Sequence, residues 1–132
     1  MTLWDKLLRE EMEFERGFVK AGGFLLAGTD PTGWGGVIAG FGDQRELELL
    51  VEAGFTAEQA IKIATYNGAF FLGQSDQIGT LSKGKQADII VVRGNPAAEI
   101  KDIRNTEIVF KDGVGYDSAS ILKTVIGQVG RH

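Results

Sequence analysis

The chain has no cysteine, which excludes disulfides, thiolate metal sites and a cysteine nucleophile and fits a cytoplasmic setting. Basic charge is scarce. Fourteen Lys and Arg stand against eighteen Asp and Glu, for a net charge of −4, so neither nucleic acid nor an anionic membrane is an expected partner. No apolar run approaches the roughly 18 residues that span a bilayer, and the opening residues show no signal-peptide pattern. For a fragment, that second absence would carry no information. Proline is nearly missing too: two prolines against nineteen glycines point to a chain rich in tight turns.

What remains is ordinary globular composition. With 132 residues, 43% hydrophobic and 24% charged, the chain is long enough to bury a sizeable core as one domain. Its most informative stretch is Leu25-Leu26-Ala27-Gly28-Thr29-Asp30. A short apolar run closed by turn residues reads as a strand, Phe24–Ala27, buried on both faces as in a parallel sheet. Asp30 then falls at the carboxyl end of that strand, where such sheets keep their chemistry. No second residue in the chain offers itself as its catalytic partner. That mismatch reads as part of an enzyme rather than a whole one.

Around this strand the pattern is helical before and mixed after. Residues 4–21 read as an amphipathic helix with Trp4, Leu7, Leu8, Met12, Phe18 and Val19 near one face, capped by Thr2 and Asp5 and stopped at Gly22-Gly23. A glycine-rich loop with Trp34 runs on to Gly42; it reads equally as the border of a substrate pocket or as a linker. A second helix is expected over 43–53 and a third from a Thr56–Gln59 capping box to Leu72. The period then turns extended. Ile89–Val92 and Ile108–Phe110 read as strands, Asp112-Gly113 as a hairpin turn, and 118–127 as a closing helix capped by Asp117 or Ser118.

The stretch Gly79–Gln86 imitates a phosphate-binding loop, but Gln86 stands where a Ser or Thr must ligate magnesium, and the stretch precedes its strand instead of following one. It reads as a hairpin lead-in with Lys83 and Lys85 solvated. Asp88 is read as a strand-edge residue without chemistry. Thr65 and Asn67 are read as local hydrogen-bonders rather than substrate ligands.

The ordered series Gly28-Thr29-Asp30, Glu46-Leu47, Leu50 to Thr56, Glu58 to Ala69, Leu72-Gly73, Ile78-Gly79, Gly84 to Ile89, Gly94-Asn95-Pro96 and Ile108 to Gly113 resembles the carboxyl-terminal third of the amidohydrolase superfamily. Its imidazolonepropionase-like and prolidase-type branches are the nearest, and the likeness covers about residues 20 to 117. The resemblance implies an α/β fold: the last part of a (β/α)8 barrel over 1–73, half of a small composite β-sandwich over 74–117, and a closing helix and tail over 118–132. It also implies that Asp30 both ligates a divalent metal, zinc or a similar ion, and moves the proton in hydrolysis of a C–N bond of a small molecule.

The family's other ligands, a His-x-His pair and further histidines, have no counterpart here. The only histidine, His132, is the last residue and is given no role. About three protein ligands make a catalytic zinc site, so the chain alone is expected to hold no metal and hydrolyse nothing. Its substrate-binding residues are not assigned. The expected partner is the missing amino-terminal part or another copy of the chain, giving a homo-oligomer. The competing reading is a self-associating, non-catalytic module or a truncated reading frame.

Overall fold

A computed structural model of the chain describes residues 2–30, 37–38 and 40–128. Helix α1 (Leu3–Lys20) opens on a complete capping box: Thr2 Oγ1 accepts from the Asp5 amide, and the Asp5 carboxylate accepts from the Thr2 amide at 2.7 Å. It ends at Gly22, whose φ of 92° is a left-handed value that glycine adopts without strain. Of its apolar stripe only Met12 and Val19 pack on the core; Trp4, Leu7, Leu8 and Phe18 stay exposed.

The next helices form the centre of the molecule. Helix α2 (Phe41–Glu52) is followed by Gly54, at φ 102°, and by a second complete capping box in which Thr56 and Gln59 exchange hydrogen bonds. The core is built from Leu50, Ala53, Phe55, Ala60 and Ile63, with Leu25, Ala27 and Val51 packed against it.

The expected single helix from Thr56 to Leu72 is in fact three pieces: α3 (Ala57–Lys62), a π-helical stretch (Ile63–Asn67) and α4 (Gly68–Phe71). Thr65 Oγ1 donates to the Ile61 carbonyl at 2.7 Å. The hydroxyl thereby competes for a carbonyl of the ordinary helical ladder, a recognised way to disturb it. Phe24 and Tyr66 flank Phe70, with ring centroids 5.4 and 6.1 Å away, and the Lys62 ammonium lies 5.6 Å from the Tyr66 centroid.

One expectation needs correcting. Residues 23–30 join no strand ladder among the described residues, so the Phe24–Ala27 strand is not formed. Nor is the segment buried on both faces: Leu25, Leu26 and Ala27 are half-buried and Phe24 is 45% exposed. The physical reason is pairing. A parallel-type strand needs neighbours on its edges, and no described strand pairs with this segment.

The second half forms an antiparallel meander, β1 (Ile89–Val92), β2 (Thr106–Lys111) and β3 (Val114–Asp117), in the order β1-β2-β3. A 3-10 turn (Ile100–Arg104) links β1 to β2, and the register slips at Val91/Val92. Asp112 and Gly113 both have positive φ, 52° and 79°, as a two-residue type I′ hairpin requires. The Asp88 carboxylate accepts from the Asp112 amide at 2.9 Å and from Lys111 Nζ at 2.7 Å, tying the start of β1 to that turn. Helix α5 (Ser118–Val125) follows, with Asp117 as its cap. Among the described residues no helix is long and apolar enough to cross a membrane.

Candidate active-site segment

Residues 23–30 carry the candidate carboxylate, and they are held by side chains instead of a ladder. At the entry, Gly23 lies against the Phe18 ring, where an added Cβ would come within 2.5 Å of ring carbons. In the middle, Asn67 Nδ2 donates to the Leu25 carbonyl at 2.8 Å. Near the exit, Thr29 Oγ1 donates to Asp43 Oδ1 at 2.7 Å, tying the segment to the first turn of α2. Gly42 allows that approach: a Cβ there would stand 2.6 Å from Val37 Cγ1 and 3.5 Å from Thr29 Cγ2. Asp30 follows directly and is exposed.

The neighbourhood is acidic. Burial pushes the Glu46 carboxyl above its ordinary range, and the charges of Glu15 and Asp43 push it further. Glu15 is raised as well, first by burial and then by Glu11. A carboxyl raised on folding binds its proton more tightly in the native state. Its contribution is therefore fully present below the unfolded value, near pH 4.3, and is lost as pH rises through the folded value. At neutral pH the Glu46 charge works against the fold. Glu46→Gln is expected to raise the melting temperature at pH 7 by about 2 °C, a modest shift because the group is only half-buried, with the gain vanishing below about pH 4. Thermal unfolding followed by circular dichroism at both pH values checks this; an equal gain at both would mean that charge is not the cause.

The other residues singled out in the sequence are scattered. The Trp34 loop (31–36) and His132 lie outside the described residues. Lys85 is not solvated as expected: it is half-buried, and its ammonium donates to the Ser75 and Ile78 carbonyls and to Thr80 Oγ1, closing the loop that leads to β1. Lys83 is exposed. Thr65 bonds locally, whereas Asn67 reaches a residue 42 positions earlier in the chain and is itself buried. Among the described residues no three His, Asp or Glu side chains converge to hold a metal ion.

Glu48 has no sequence signal strong enough to single it out, yet among the described residues it is the most buried charged one, 2% exposed. Its carboxylate accepts from Arg104 Nε and, at 2.7 Å, from Arg104 Nη2, and from Arg45 Nη1 at 2.9 Å. Arg104 chiefly, with Arg45 helping, holds the Glu48 carboxyl below the usual carboxylate range against the opposing effect of burial. Only the Arg45, Glu48 and Glu52 spacing along α2 hints at this network; Arg104 lies 56 positions away.

Known proteins give this arrangement a family. The Amidohydrolase family profile matches residues 6–115, and the chain belongs to that family. Ochratoxinase from Aspergillus niger is 38% identical over 96 residues, covering 71% of this chain and 19% of the enzyme. The crystal structure of a Xaa-Pro dipeptidase with methionine bound in its active site superposes with a TM-score of 0.65 at 29% identity, over 83% of this chain and 25% of that one. Phenylurea hydrolase B gives a TM-score of 0.69 at 27% identity, over 89% of this chain and 28% of its own. The chain thus spans 19% to 28% of the length of these relatives.

Proposed function

We propose that the chain is the carboxyl-terminal portion of a metal-dependent amidohydrolase that cleaves a C–N bond of a small molecule, an amide, a dipeptide or a cyclic amide. The observation that carries this reading is the family match running through Asp30, which follows a segment clamped by Asn67 and Asp43. Relatives named as a dipeptidase and a phenylurea hydrolase agree with C–N chemistry. On this reading residues 1–73 complete a (β/α)8 barrel and 74–117 supply half of a composite β-sandwich.

The family generally uses divalent metals, and zinc is the ion expected. Asp30 fits as one of its ligands, but the described residues do not assemble a metal centre, so the remaining ligands belong to another part of the protein. What this chain contributes is a carboxylate, Asp30, at the end of the clamped segment. Asp30 takes a proton as water attacks the scissile carbonyl carbon and returns it to the departing nitrogen, the ordinary work of a general base and acid.

Among the described residues no group of three His, Asp or Glu could hold a metal ion. The purified chain is expected to bind no stoichiometric zinc and to show no turnover of dipeptides or lactams after metal addition. Elemental analysis after gel filtration, with an assay panel, tests this; a bound metal with several ligands from one chain would overturn it. The second reading is a self-associating module without catalysis, favoured by the lack of a convergent ligand group among the described residues. Coding sequence upstream separates the two: a His-x-His pair and two later histidines in frame support the enzyme.

A further inference from the structure

We propose that Asn67 is a positioning residue for Asp30, a step that rests on the reading of Asp30 given above. Residues 23–30 have no ladder to fix their path, and a segment held only by apolar contact can slide. Asn67 supplies the missing constraint. It closes the π-helical stretch, on the same helical face as Ala60 and Ile63 of the core, and is 8% exposed. A primary amide buried there is costly unless it is bonded, and its Nδ2 spends a hydrogen on the Leu25 carbonyl at 2.8 Å.

Further along the segment, the Thr29 hydroxyl bonds Asp43. The two bonds bracket Leu26, Ala27 and Gly28, and Asp30 lies one residue beyond the second. Leu25 and Ala27 pack against the core, and the two hydrogen bonds add direction to that contact by fixing which way the Leu25 carbonyl and the Thr29 hydroxyl face. The π-helical stretch matters here because such insertions re-aim the side chains that follow them and are frequent at functional sites. A shift of about 1 Å at a catalytic carboxylate costs rate far more than binding.

The test uses the hydrolase that includes this segment, with Asn67→Ala, Asn67→Leu and Asp30→Asn. Asn67→Leu keeps the side-chain volume, so the test stands where alanine fails to fold. For both Asn67 variants kcat is expected to fall about 10- to 100-fold with KM within twofold. Hydrogen exchange is expected to quicken across residues 25–30 while α2 and the β2–β3 hairpin keep their protection. A kcat within twofold of the parent, or unchanged exchange at 25–30, overturns the proposal. An active Asp30→Asn protein would instead remove the reading of Asp30, whereas an inactive one beside normal Asn67 variants removes only the positioning role.

Discussion

Asp30→Asn in the complete hydrolase is expected to lower kcat/KM by about two orders of magnitude or more while leaving the protein folded. The substitution keeps shape and hydrogen-bonding size but replaces a proton acceptor with an amide that cannot take a proton at any working pH. Removal of a general acid–base group usually lowers rate by about 10²–10⁴-fold. Stability is expected to move much less than rate, because Asp30 is exposed and Asn keeps its size and its capacity to accept a hydrogen bond. Steady-state kinetics with circular dichroism on the same preparation checks both halves. Near-normal turnover from folded Asp30→Asn protein would take Asp30 out of the mechanism.

Self-association of the isolated chain is the second large effect expected. The chain exposes 9811 Å², whereas a folded monomer of its 14.2 kDa exposes about 6,800 Å². The excess, about 3,000 Å² of total surface, is of the order that an obligate dimer buries, about 2,000–5,000 Å² in total. Much of the surface is apolar: Trp4 and Leu81 are each 78% exposed, Phe14 74% and Phe71 68%. The β1 and β3 edges add unpaired backbone groups that template pairing. With no other polypeptide present, a second copy is the partner at hand. Light scattering at micromolar concentration is expected to give at least twice the chain mass, and the unfolding midpoint is expected to rise with concentration. A stable monomer with concentration-independent unfolding would mean that the chain closes its own core.

The features legible in the sequence are those decided within a few residues. Both capping boxes form because Thr and an acceptor three positions on satisfy each other without outside help. The hairpin forms because Asp112-Gly113 tolerates positive φ at both positions. The ladder expected at Phe24–Ala27 does not form because strand formation is decided by neighbours, and apolar character alone cannot supply them. The π-helical stretch is hidden because its apolar spacing still passes for 3.6 residues per turn. Asn67 reads as local, and Glu48 does not stand out, for one shared reason. Their partners, Leu25 and Arg104, lie 42 and 56 positions away, and a linear pattern gives no distance between such residues. For the candidate site, the sequence singles out Asp30 by its place after an apolar run together with the family resemblance, and it gives no sign of the side chains that clamp the segment before it.

The Glu48 network also bears on how this chain can be dissected. Its carboxylate sits in α2, yet its main counter-charge comes from the turn between β1 and β2. A shorter chain ending near residue 73 would keep the buried acid and discard Arg104, leaving the half-exposed Arg45 as its remaining cationic partner. Losing that counter-charge destabilises the fold, because the carboxylate stays out of water with fewer donors to satisfy it. Trimming, domain swapping and grafting of this region are therefore best done with residues 41–104 kept as one indivisible cassette.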